Sequence, residues 1–113
     1  MAELNKADYK GVWVFAEQRR GKLHNVCFEL LGKGRELADA LKVELAAVLL
    51  GSGIKDKAQD LISAGADKVY VVDHPKLKDF NDELYSMTVA EIAKQFKPEI
   101  VLAGATAVGR AFL

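Results

Sequence analysis

The sequence has a single cysteine, Cys27, so it cannot close an intrachain disulfide, and no Cys or His spacing resembles a zinc site. A reducing, intracellular setting is the expectation. Only two prolines are present and there is no Ser-, Gln- or Gly-rich tract, which excludes a disordered linker array. Neither sign of charge is in excess: 16 basic residues meet 16 acidic ones, so no global field draws in nucleic acid or an anionic membrane surface. Long apolar runs are missing too. The longest, Leu45 to Leu50, falls far short of the roughly 20 residues of a membrane span. The first ten residues, MAELNKADYK, carry Glu3 and Asp8 and no apolar stretch, unlike a signal or transit peptide. A soluble cytoplasmic protein without membrane insertion is expected.

What is present is an ordinary globular composition, with enough apolar residues in 113 positions for one domain with a core. Val12 to Ala16 (VWVFA) is a continuous apolar run with β-branched and aromatic side chains, the pattern of a strand buried on both faces. Glu17 to Lys22 (EQRRGK) follows as a polar loop in which Gly21 supplies a turn. Its basic side chains suit either a contact patch or a solvated loop tip. Asn25 to Lys42 places Cys27, Leu30, Leu31, Gly34, Leu37, Ala38 and Leu41 on one helical face, with Asn25 as N-cap. Gly32 and Gly34 each cost that helix about 1 kcal/mol relative to alanine, so close packing against a sheet is expected to compensate. The tract GKGREL is no dinucleotide fingerprint: the third glycine is absent and the tract lies inside a helix, away from any strand-to-helix turn. Cys27, with no activating neighbour in the sequence, reads as a small core hydrophobe.

Val43 to Leu50 (VELAAVLL) is a second buried strand, and Gly51, Ser52 and Gly53 form the loop after it. That loop offers backbone N–H groups to an anion but lacks the lysine of a phosphate loop, so a tight turn is the plainer reading. A short amphipathic helix from about Ile54 to Ala64 has Ala58, Leu61 and Ile62 at the i, i+3, i+4 positions and Gly65 as its C-terminal cap. Lys68 to Val72 is a third strand, with Asp73 at its carboxyl end. His74 and His24 lack a nucleophile or second ligand in register and read as structural or surface residues. Asp79 to Lys97 predicts the longest helix, with Tyr85, Val89, Ile92, Ala93 and Phe96 on one face. Ile100 to Ala103 is a fourth strand, and Gly104 to Gly109 opens another helix.

The alternation predicts an α/β fold: a three-layer open parallel sheet with helices on both faces, strand order 3-2-1-4, truncated after the fourth strand. The topological switch point then lies between the first and fourth strands. Ala16 to Arg20 and Thr106 to Arg110 would converge there, where ligands of such sheets sit. Thr106, Gly109 and Arg110 are the candidate cofactor contacts, with Arg110 able to present a donor fork to a carboxylate, a phosphate or a partner. Glu17, Arg19 and Arg20 are the candidate partner contacts.

The tracts VFAEQRRGKLHNVCFELLGKGRELADAL, ELAAVLLG, DKVYVVD and KPEIVLAGATAVGR together resemble the amino-terminal domain of the alpha subunit of electron transfer flavoprotein. The resemblance extends from Tyr9 to Leu113, with Gly34 standing where the family usually has alanine. It implies an adenine-nucleotide-hydrolase-like, Rossmann-like domain in a heterodimer of alpha and beta subunits. Such a heterodimer carries electrons on FAD from acyl-CoA dehydrogenases or other flavin dehydrogenases, as in fatty acid beta-oxidation. The alpha chain's separate carboxyl-terminal domain supplies most FAD contacts and is absent here, so these residues are expected to be a fragment that binds no flavin alone. No catalytic constellation is expected, since a flavin performs the electron steps itself. The alternative is a stand-alone nucleotide-binding, stress-protein-like module, which requires a phosphate-binding loop after the fourth strand.

Overall fold

In the computed structural model, Val12–Phe15 (β1) is buried along its whole length, as a run of apolar residues in the middle of a covered sheet should be. The structure describes residues 10–19, 22–78 and 82–103, the side chains of residues 19 and 82 excepted. After β1 come Gln18–Arg19 (β2), Lys22–Leu23 (β3), helix Asn25–Leu41 (α1) and strand Leu45–Gly51 (β4). Helix Ala58–Ser63 (α2), strand Lys68–Asp73 (β5), helix Asp82–Phe96 (α3) and strand Ile100–Leu102 (β6) complete the order.

The main sheet is parallel, in the order β5-β4-β1-β6. Counting the predicted strands in chain order, this is 3-2-1-4 as expected. Val12 lies between Leu45 and Ile100, and Gly51 pairs with Asp73 at the far end of β4. The sheet runs one way through α1 and α2 and then reverses through α3. With right-handed crossovers, that reversal puts α3 on the opposite face. Two cores result. Cys27, Leu31, Ala38 and Leu61 pack on Val12, Val14, Leu45 and Leu49, while Tyr85 and Val89 pack on Trp13, Phe15, Val48 and Leu50. Tyr70 bridges Trp13 and Phe96, with ring centroids 5.1 and 4.6 Å away.

The element ends differ from expectation for local reasons. The N-cap of α1 is His24, not Asn25: its Nδ1 accepts from the Val26 N–H at 3.1 Å, and Asn25 is already helical. Lys42 ends α1 at φ 59, donating to the Ala38 and Asp39 carbonyls. The second helix begins as a 3-10 turn, Lys55–Lys57, before α2, and Gly65 follows it at φ +123. The third is described from Asp82 and ends at Phe96 rather than Lys97, which at φ 50 stops it ahead of Pro98; its expected start at Asp79 lies outside the described residues. Among the described residues α1, at 17 residues, therefore exceeds α3, at 15. The polar loop after β1 is a small antiparallel hairpin, Gln18 pairing with Leu23 and Arg19 with Lys22.

The two helix glycines part company. A Cβ on Gly34 would stand 2.8 Å from Leu45 Cδ1 and 3.2 Å from Val14 Cγ2, so α1 approaches the sheet there as expected. A Cβ on Gly32 would meet nothing within 4 Å, and the expected compensation is missing at that position.

Candidate functional site

Strands β1, β4 and β5 all point their carboxyl ends at one rim of the molecule, and three loops leave from it. The β4 loop is held by the strand beside it. Asp73, opposite Gly51 in the β4–β5 register, accepts from the Gly53 N–H at 2.8 Å and the Ile54 N–H at 3.0 Å. These two backbone donors, Gly53's first, hold the Asp73 carboxyl below the usual carboxylate range, and the charge of Lys55 adds to the effect. Gly53 takes φ +69, a conformation that glycine adopts without Cβ strain. The Gly-Ser-Gly loop does cradle an anion, and that anion is the chain's own Asp73. Of the donors noticed in the sequence, the Gly53 N–H is therefore already taken.

The β1 loop is the hairpin. Ala16 N–H donates to Val48 and continues the β1–β4 ladder by one residue, and the His24 N–H closes the hairpin base on the Glu17 carbonyl, both at 2.9 Å. Gln18 then reaches across the rim: its Nε2 donates to the Leu50 carbonyl at 3.0 Å and lies 3.5 Å from the Tyr85 hydroxyl. Tyr85 in turn donates to the Leu77 carbonyl. Leu77 closes the 3-10 turn Pro75–Leu77, whose N-cap is His74, with Nδ1 accepting from the Lys76 N–H at 3.1 Å. Both histidines thus act as caps, each accepting a backbone N–H at Nδ1.

Glu17 is 4% exposed, the buried charged residue among those described. Cys27 is fully buried, and that burial pushes its thiol up to about 11, with the negative charge of Glu17 contributing in the same direction. Full burial and a raised pKa both disfavour the thiolate, and Cys27 serves the core.

Of the residues singled out in the sequence, Glu17 lies at the base of the hairpin and Arg19 lies on β2. Arg20, Thr106, Gly109 and Arg110 lie outside the described residues. The switch point itself is where it was expected, between β1 and β6. The contact between Gln18 and Tyr85 escaped the sequence reading, in which Tyr85 is only one residue of a helix face, because no motif marks an amide and a phenol 67 positions apart. Asp73 was noticed only as a strand end. An aspartate placed beside a Gly-Ser-Gly loop in a neighbouring parallel strand is the signal that would have found its role.

The profile of the electron transfer flavoprotein domain matches residues 12–113. The chain belongs to the electron transfer flavoprotein family. It is 52% identical over 103 residues to the electron transfer flavoprotein subunit alpha of Thermoanaerobacterium thermosaccharolyticum, covering 91% of this chain and 31% of that protein. The corresponding subunit alpha of Clostridium acetobutylicum is 52% identical over 107 residues, 95% of this chain and 32% of that one. Protein FixB of Clostridium saccharobutylicum is 49% identical over 107 residues, again 95% and 32%. The chain thus spans about a third of the length of the electron transfer flavoprotein subunits that it matches. Among the described residues no helix is long and apolar enough to cross a membrane.

Proposed function

We propose that this chain works as the amino-terminal α/β domain of an electron transfer flavoprotein alpha subunit. It acts mainly as scaffold and as contact for a beta subunit in a FAD-containing, cytoplasmic electron carrier. The observation that carries the reading is the family match across residues 12–113. The geometry supports the scaffold role. At the described rim the Gly53 and Ile54 N–H groups are occupied by Asp73, which supports a reading in which FAD is held mainly by another domain of the parent complex. A carrier of this kind needs its protein to position and tune the flavin, with no acid, base or nucleophile of its own. Thr106, Gly109 and Arg110 are proposed as flavin or subunit contacts, and Glu17, Arg19 and Arg20 as the hairpin contact with the beta subunit. The electron donors are proposed to be acyl-CoA or other flavin dehydrogenases.

Expression of the chain alone and with the beta subunit of the Clostridium acetobutylicum carrier tests this. The expected result is a stable complex with the partner and neither flavin absorbance nor ATP or AMP binding by the chain alone, the last measured by calorimetry. Tight adenine-nucleotide binding without the partner would replace the reading with a stand-alone nucleotide-binding module. Within the complex, Arg110→Ala weakens association or flavin content more than Arg19→Ala; equal effects would remove the preference for the terminal motif.

A further inference from the structure

Gln18 is half-buried at the root of the hairpin, and its amide nitrogen reaches out to β4 and α3. That nitrogen sits in a notch made by Gly51: a Cβ there would stand 2.8 Å from it, and 3.1 Å from two side-chain carbons of Ile54. The glycine thus has a reason other than backbone freedom, since its missing side chain is the seat of another residue's amide. On one side the amide grips β4 through the Leu50 carbonyl, and on the other it meets the Tyr85 hydroxyl on α3, which holds the turn after β5 through Leu77. One side chain therefore ties the hairpin to both layers that flank its root.

We infer that Gln18 is the positioning residue of the β2–β3 hairpin: seated over Gly51 and bridged by Tyr85 to α3, it sets the angle at which the hairpin meets the partner subunit. This rests on the proposed reading that the hairpin is a subunit contact. The hairpin strands are only two residues each and cannot hold an orientation by their own pairing. The Gln18 bridge supplies what the short ladder lacks.

Gln18→Met keeps the length of the side chain and removes the amide's hydrogen bonds to the Leu50 carbonyl and the Tyr85 hydroxyl. In the full chain it is expected to raise the exchange rate of the His24 amide, which is bonded to the Glu17 carbonyl, about tenfold, and to weaken the complex with the Clostridium acetobutylicum beta subunit by a similar factor. Amides of β4 keep their protection. Gly51→Ala, which fills the notch from below, should reproduce the effect, and the two changes together should add little to either one because they break the same contact. Tyr85→Phe, which removes only a hydroxyl oxygen, gives a smaller loosening of the hairpin from a distance and covers the case in which Gly51→Ala fails to fold. Unchanged hairpin exchange and unchanged association in Gln18→Met would overturn the inference. The pair Arg19→Glu with Lys22→Glu tests the underlying reading separately. If charge reversal leaves association intact, the hairpin is no subunit contact and that reading falls; if it weakens association while Gln18→Met does not, the inference alone falls.

Discussion

Strand β5 is closed by an aspartate at each end, and the two do different work. At its amino end Asp67 accepts from the Leu45 N–H at 2.9 Å and from Arg35 Nη1 at 3.0 Å, while its own N–H donates to Leu45. Arg35 also binds Asp39 and the Gly65 carbonyl, so this end joins helix to sheet through exposed charges. At the carboxyl end Asp73 accepts two backbone N–H groups, one from the fully buried Ile54, and the loop folds around its carboxylate. The amino end is an ion pair laid on the surface; the carboxyl end is a loop built around a charge. The contrast teaches that the rim where such sheets expose donors to a ligand has here been closed by the chain itself at β4.

The strongest way to break the comparison is to remove each carboxylate. Asp73→Ala is expected to give the largest loss of thermal midpoint, because it strips two backbone donors of their acceptor at once. Asp67→Ala should cost about 1 kcal/mol in urea denaturation, since it loses one backbone bond and a pair that water already screens. If Asp67→Ala proves as damaging as Asp73→Ala, the two ends are equivalent and the contrast fails.

Acid sharpens it. Both carboxyls are held below the usual range, Asp67 first by the Leu45 N–H and then by Arg35, and Asp73 by the Gly53 and Ile54 donors. A depressed folded-state pKa contributes stability that is complete above the unfolded value of about 3.9 and is lost as pH falls through the folded one. Denaturation midpoints measured from pH 6 to pH 2 should therefore fall on the acid side. Asp73→Asn should flatten that fall more than Asp67→Asn, and the double variant most of all.

The smallest effect is that of salt. Arg35→Ala should cost about 0.5 kcal/mol at low ionic strength and less in 1 M salt, where exposed pairs are screened. The Asp73 loop should show a smaller salt response, as its hydrogen bonds come from neutral N–H groups and the Lys55 charge only adds to them; an equal one would place the two ends in the same class.

Legibility in the sequence followed the same division. β1 and β4 were readable because a run of β-branched and apolar residues has few other uses, and the order β5-β4-β1-β6 followed from helix alternation and crossover handedness. The hairpin was hidden: strands of two residues have no periodicity, and their basic side chains resemble any loop tip. Helix ends were hidden where an unusual group did the capping, as the imidazole of His24 does beside an asparagine that looks the better candidate. The site was the least legible part. The contacts that shape the rim join positions 18 with 85 and 53 with 73, and these become neighbours only after the sheet has formed. Gly34 and Gly32 mark the limit from the other side, since two positions apart in one helix the same residue is demanded by packing once and by nothing described the second time.

The sole cysteine lies shut in the core with its thiol held protonated. A cysteine introduced at exposed Lys22 would thus be the one position that a maleimide dye or nitroxide label attacks in the native chain. The protein comes with its background chemistry already silenced, so a spectroscopic probe can be put on the hairpin without first redesigning the interior.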